Sequence, residues 1–435
     1  MRRPGSRWGR GLLAAVIIAL SVFALSCEKK APEGKTVLTF VTWKPNQPEV
    51  WDEILAAFSR ENPDIDLRRE VGPHSSTAFH DLLTQKLKNK STDADVFLMD
   101  VIWPPEFAAA GWAMKLDDRL GEGERERYLK GPLLADTYQG SLYGLPLFVD
   151  GGMLYYRKDL LEKYGFEPPA TWQELVEQAR TIVRGEAGED EGALYGYSGQ
   201  FKQYEGLVCN MMEFIMSNRG TLFHRDTRKS GIDEPPALEA VRFVRKEIIG
   251  GVAPRGVLTY QEPESLDLFI QGKAVFHRNW PYAWEIANNP ERSLVAGKVG
   301  VTKLPHFPGG KSFSTLGGWQ VGISSYTEHP EAAWRFARYL SSPRVQRLLA
   351  VRAGLAPTRK ALYDDPDVLG ANPQFERMKG VFLAAYPRPR TPLYPAVSHV
   401  MQRYFSRAVS DPGVDIAKEA ERAAAEINDI VSLSP

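Results

Sequence analysis

Cysteine is nearly missing from this 435-residue chain, which holds only Cys27 and Cys209. Two thiols cannot build a disulfide framework or a cysteine zinc site. Net charge is missing as well, since 54 Lys and Arg balance 54 Asp and Glu. Nucleic-acid binding draws on a surplus of cations that displaces counterions, so no nucleic-acid partner is expected. The seven His residues include no pair at zinc-binding helical spacing, and neither metal nor cofactor is expected. Catalytic motifs stop short too. Gly196-Tyr197-Ser198-Gly199-Gln200 would be a nucleophile elbow only with Gly at its last position. Gly310-Lys311-Ser312 resembles the end of a phosphate loop, but Pro305 stands where its first Gly belongs. Serine hydrolysis, zinc chemistry and phosphoryl transfer are therefore set aside.

What the chain does hold begins with a cationic start. Arg2, Arg3, Arg7 and Arg10 precede an apolar run from Leu12 to Leu25, followed by Ser26-Cys27. That run is shorter than the roughly 20 residues of a transmembrane helix and reads as a secretory signal over residues 1–26. Ala24-Leu25-Ser26-Cys27 resembles a bacterial lipobox, with Ala24 in place of the usual Leu, so Cys27 is the expected lipidation site. The protein is then expected outside the cytoplasm, tied to the membrane by that lipid through a polar tether over residues 27–35. Cys209, in the apolar run Leu207-Val208-Cys209, is expected to be a buried inert thiol.

The stretch Ala94-Asp95-Val96-Phe97-Leu98-Met99-Asp100 reads as a strand buried on both faces. It ends on an acid, with Trp103-Pro104-Pro105 just beyond. Strands at Val37–Val41 and Ile65–Val71 alternate with helical patterns around Trp51–Phe58 and Leu82–Leu87. This order predicts a mainly parallel α/β sheet. Ligands of such sheets bind beyond the carboxyl ends of strands. Asp100 is placed to meet one there, although an Asp in that place also caps the following turn. Asp150 likewise follows an apolar run. Gly151-Gly152 and Gly317-Gly318 are candidate crossings between lobes, where backbone freedom is useful. Thr171 with Glu174 forms a capping box at a helix start. The last helix shows an apolar stripe at Ile416, Ala420, Ala423, Ile427 and Ile430.

Aromatic residues make up 11% of the chain and ten are Trp, more flat surface than a plain scaffold needs. Trp280, Tyr282 and Trp319 lie beside Gly, Pro or Asn just outside apolar runs, where loops meet a cleft. Trp112, Trp172 and Trp334 sit in helical patterns and read as core. Arg388, in the stiff turn Arg388-Pro389-Arg390-Thr391-Pro392, is either an exposed surface residue or a fork for paired hydroxyls. Acids and aromatics together suit a sugar, whose rim is polar and whose faces are apolar. Asp100 and Asp150 could instead be the carboxylate pair of a glycoside hydrolase. Against catalysis, neither has a sequence-adjacent acid or His poised to shift its pKa. A binder of peptides would need charged clamps for chain termini, which this set fits less well.

The residues then resemble a known family. ADVFLMDVIWP at 94–104, LPLFVDGGMLYYRKDLLEKYG at 145–165, KQYEGLVCN at 202–210, RNWPYAW at 278–284, KLPHFPGGKS at 303–312, LGGWQVGIS at 316–324 and PRPRTPLYP at 387–395 are similar to trehalose/maltose-binding lipoproteins of ABC sugar importers. The resemblance runs in order over nearly the whole mature chain. It implies a periplasmic-binding-protein fold: two α/β lobes joined by a hinge, closing on sugar between them. The expected division is 36–148 with 319–372 for the first lobe and 149–318 with 373–435 for the second. It implies that Asp100, Asp150 and Arg388 hydrogen-bond sugar hydroxyls, that Trp280, Tyr282 and Trp319 stack on or line the rings, and that Gly318 admits close backbone contact. Gln47 stands where an acid is expected, Phe148 where a Tyr is usual, and His74 and Ala78 replace other polar groups. These departures bear on which disaccharide is bound. The implied protein is a monomeric, non-enzymatic binder of trehalose or maltose, with sucrose a further candidate, that delivers sugar to a membrane permease.

Overall fold

The computed structural model describes residues 34–187, 194–224 and 229–433. The signal segment and Cys27 lie outside these residues, as does most of the polar, acidic stretch 185–192, which the sequence alone reads as a loop. Twelve strands are present among the described residues: β1 (Thr36–Thr42), β2 (Ile65–Val71), β3 (Val96–Asp100), β4 (Thr137–Tyr138), β5 (Ser141–Leu142), β6 (Leu145–Gly151), β7 (Met153–Arg157), β8 (Tyr195–Ser198), β9 (Ala274–Asn279), β10 (Val299–Thr302), β11 (Leu316–Ile323) and β12 (Ala356–Pro357). Ten of them form two sheets, in the orders β12-β6-β11-β3-β1-β2 and β10-β7-β9-β8, while β4 and β5 make a small hairpin.

Each sheet centres one lobe. In the first, β1 pairs in parallel with β2 and β3, as alternating strands and helices require. All five residues of β3 are buried, matching its unbroken apolar run. The helix Pro48–Glu61 opens on a Pro, and buries Val50, Trp51, Ile54, Ala57 and Phe58 along one face. The sheet is nevertheless mixed rather than mainly parallel. β11 runs antiparallel to both β3 and β6, because it arrives from the other lobe and not through a strand–helix–strand crossover. In the second lobe, the helix Trp172–Glu186 is opened by the Thr171–Glu174 capping box. The final helix, Ile416–Ser432, buries Ile416, Ala420, Ala423, Ala424 and Ile427.

The chain passes from β6 in the first sheet to β7 in the second at Gly152. A side chain at Gly152 would stand 2.0 Å from Glu213 Oε1 and 2.6 Å from Arg278 Nη2. This glycine therefore makes room for a buried ion pair, a steric reason beyond the hinge freedom read from the sequence. Gly317 and Gly318 lie inside β11, so the return crossing falls earlier, between β10 and β11. β6 and β11 carry residues 149–151 and 316–318 in the first sheet, past the expected division at 148 and 319. Phe375 and Phe382, beyond the expected division at 372, pack against Tyr363 before it. Among the described residues no helix is long and apolar enough to cross a membrane.

Candidate ligand-binding cleft

One narrow cavity between the lobes, of about 90 Å³, gathers His74, Asp100, Phe148, Asp150, Trp280, Tyr282, Gly318, Trp319 and Arg388. Strand register explains much of this. β11 sits between β3 and β6, and sets Trp319 opposite Asp100 on one side and Phe148 on the other; Gly317 falls opposite Asp150. The two acids therefore reach the cavity from the ends of β3 and β6, the buried strands on either side of β11. Trp319 stacks on Trp43 at 4.6 Å between ring centres, with 13° between planes, and meets Trp103 edge-on at 5.5 Å. That aromatic cluster forms the first lobe's wall.

Gln47 is not in the cavity. Its amide donates to Glu285 Oε2 at 3.0 Å, a contact between lobes. Gly318 lines the cavity, but its φ of +124° and the 2.4 Å between a Cβ built there and the Phe148 carbonyl show that the close approach is to β6. The neighbouring Gly317 faces the ligand wall, where an added Cβ would lie 3.1 Å from the Trp280 ring. Trp112 is buried but lies in a loop after the helix Pro104–Ala109, not in a helix.

Arg388 is buried, not an exposed turn residue. Its guanidinium donates to Asp100 Oδ1 at 3.1 Å, to Glu205 Oε1 at 2.7 Å and to the Leu316 carbonyl at 3.3 Å. Asp100 also accepts from the Ile102 amide at 3.3 Å, so the turn-capping and site roles coexist. Burial pushes the Asp100 carboxyl up to about 6, with Arg388 opposing and Glu205 reinforcing. Burial, reinforced by Asp100, pushes Asp150 up to about 7. Acids distant in sequence thus do perturb both groups. Neither acid needs a neighbour in sequence for a shifted pKa, because the fold supplies the neighbours.

Glu205, Glu262, Trp43, Asn46 and Cys209 line the cavity without having been singled out for it. Glu205 and Cys209 sit on the helix Glu205–Ser217, which is buried on nearly every face. Its uniform burial reads as core and hides the acid. Burial also pushes the Cys209 thiol well up, consistent with an inert thiol. Three buried polar atoms around the cavity have no hydrogen-bond partner among the described residues: His74 Nδ1, Asp150 Oδ1 and Arg388 Nε. Buried polar atoms are nearly always paired. Such a cluster beside aromatic faces suits a ligand with many hydroxyls.

Two α/β lobes with a polar and aromatic cleft between them define a periplasmic-type solute-binding protein. The model for bacterial extracellular solute-binding proteins matches residues 44–347. A probable ABC transporter-binding protein of Deinococcus radiodurans is 39% identical over 320 residues, covering 73% of this chain and 75% of that protein. A maltose-bound MalE3 from T. maritima superposes with a TM-score of 0.85 at 38% identity, covering 91% of this chain and all of that one. A maltotriose-binding protein of Pyrococcus abyssi is 23% identical over 390 residues, 88% of this chain and 80% of its own length.

The chain belongs to the bacterial extracellular solute-binding family, with the extracytoplasmic location that family implies. That family and the relatives matched here are solute-binding proteins, not enzymes. This membership gives no support to the glycoside hydrolase reading of Asp100 and Asp150. Their raised pKa values follow from burial in a binding cleft.

Proposed function

We propose that this protein captures an α-linked disaccharide, maltose or trehalose, with sucrose a further candidate, and hands it to a membrane permease. The observation that carries the reading is the single cleft in which Asp100, Asp150 and Arg388 face the aromatic walls of Trp319, Tyr282 and Trp280. Acids and a guanidinium take ring hydroxyls, with charged hydrogen bonds contributing roughly 1.5–3 kcal/mol each, while aromatic faces take the C–H surfaces. The maltose named for the T. maritima relative supports the sugar class. Ligand clefts usually hold roughly 300–1,000 Å³, so a disaccharide enters this one with its lobes apart, and closure follows capture. Closure then reports occupancy to the permease, because ligand favours the state that it binds better. On this reading His74 adds a polar contact, Phe148 lines the floor without a hydroxyl, and Gln47 serves closure. Residues 1–26 are a signal, lipidated Cys27 anchors the mature monomer, and the lobes divide near Gly152 and the segment before Leu316.

Calorimetric titration of the chain lacking residues 1–27 with trehalose, maltose, sucrose and glucose tests this. Saturable binding of one disaccharide, lost in Trp280→Ala and Asp150→Ala, is the expected result. No heat with any of the four, alongside binding of a peptide or a longer glucan, would sink the disaccharide claim.

A further inference from the structure

Trp280 is held on three sides. The Arg278 guanidinium lies 3.9 Å from its ring centre on one face. Arg278 is itself fixed by two hydrogen bonds to Glu213, at 2.8 and 2.6 Å, and one to Gln200 at 3.2 Å. The Trp280 carbonyl accepts from the Tyr155 hydroxyl at 2.8 Å. The third hold is on the ring's edge, where the indole Nε1 donates to Glu262 Oε1 at 3.2 Å.

Glu262 is the first residue of the helix Glu262–Ile270 and lines the cleft. Its second oxygen accepts from the Tyr204 hydroxyl at 2.8 Å. Tyr204 reaches it only because residue 206 is glycine: a Cβ there would lie 2.1 Å from the Tyr204 hydroxyl oxygen. One carboxylate thus ties the start of its own helix, the start of the helix Glu205–Ser217 and the edge of a cleft indole into one network.

We propose that Glu262 is a positioning residue that fixes the Trp280 ring as a rigid wall of the ligand cleft. It rests on the sugar-binding reading for its effect on affinity, though not for the hydrogen bond itself. Without Glu262, the indole edge loses its acceptor and the ring is held only by Arg278 and the backbone. Trp280 then samples rotamers that a sugar must collect again on binding, and the cost of ordering it lowers affinity. Glu262→Gln keeps one carbonyl acceptor and should restore part of the hold.

The test is a double-mutant cycle on the mature protein with maltose and trehalose as probes. The variants are Glu262→Ala, Glu262→Gln and Trp280→Phe, together with Glu262→Ala in the Trp280→Phe background. If Glu262 acts through the indole, Glu262→Ala weakens binding by about tenfold, Glu262→Gln by less, and Glu262→Ala adds almost nothing once Trp280 is Phe. An equal loss in both backgrounds overturns the proposal, since Glu262 would then act on ligand or fold by another route. The sugar-independent arm is the exchange rate of the Trp280 indole proton in ligand-free protein, read by NMR. Faster exchange in Glu262→Ala, slowed again in Glu262→Gln, supports the proposal even if neither sugar binds and the disaccharide reading falls. Unchanged exchange in both variants overturns it.

Discussion

Arg278 and Arg388 are both buried and both pair with carboxylates, yet their partners lie in different places. Arg278 spends its donors inside one lobe, on Glu213 and Gln200, beneath the Trp280 ring. Arg388 divides its donors between Asp100 on β3 of the first lobe and Glu205 at the start of a second-lobe helix. Its Nε is left unpaired and buried. A guanidinium with each of its nitrogens paired within one core is scaffold. One that straddles two lobes with a donor to spare is placed to respond to a ligand. Residue type and burial are the same in both; only the division of partners separates them.

Replacing Arg278 tests the first half of this comparison and carries the largest expected effect. Arg278→Ala leaves Glu213 as an uncompensated charge inside the second lobe, where breaking a buried pair costs about 3–5 kcal/mol. The urea midpoint should fall sharply, and maltose affinity should fall with it as the support under Trp280 goes. A small stability loss would break the contrast by showing that the pair is not structural.

Arg388→Ala should reverse the balance between stability and affinity. Its partners face a cleft that water reaches when the lobes part, and Asp100, its carboxyl pushed up to about 6, takes up a proton more readily than an ordinary Asp once the cation is gone. The stability loss should therefore be clearly smaller than for Arg278→Ala. Affinity should drop about ten- to a hundredfold, the worth of a lost charged hydrogen bond. Calorimetry and urea unfolding on both variants give the two ratios directly.

A third expectation concerns pH. Burial raises Asp100 to about 6 and Asp150 to about 7, above the ordinary 3.8 of the unfolded chain. The folded state therefore binds more protons between about pH 4 and pH 7. The stability from these groups is complete below about pH 4 and is lost as pH rises through their folded pKa values. Sugar affinity should run the other way if the ionised carboxylates accept hydroxyls, rising from pH 5 to pH 8 with proton release on binding. Titrations in buffers of different ionisation enthalpy measure that release. In Arg388→Ala the Asp100 step should move to higher pH, because Arg388 opposes its protonation.

Legibility followed how locally each feature is determined. β3 and its terminal Asp100, the Thr171 cap and the last helix's stripe are set by nearby residues, and the sequence shows them. The antiparallel insertion of β11 between β3 and β6 depends on a return from the other lobe, which no local pattern encodes. Within the cleft, Asp150 and Trp319 were marked by strand ends and glycine neighbours. Glu205 was not, since a helix buried on nearly all sides carries no periodicity to expose a lone acid. Arg388 illustrates a different gap: Pro-rich flanks read as exposed turn, while two acids more than 180 residues away bury it. Trp43 lies just past β1 without a distinguishing neighbour, and only its stack on Trp319 brings it into the wall.

The smallest expected effect is the control for the whole comparison. Gln47 also bridges the lobes, donating to Glu285 Oε2 at 3.0 Å, but it does not line the cavity. If bridging alone made Arg388 matter, Gln47→Ala would share its loss of affinity. A neutral amide at a half-buried carboxylate contributes less than a charged pair, a net of about 0.5–1.5 kcal/mol at most. The affinity change should thus stay below about tenfold, with little change in the urea midpoint. The effect should appear in the release rate, since the contact exists only with the lobes closed. A loss matching Arg388→Ala would shift the explanation from ligand contact to closure itself, and the spare Nε donor of Arg388 would lose its significance.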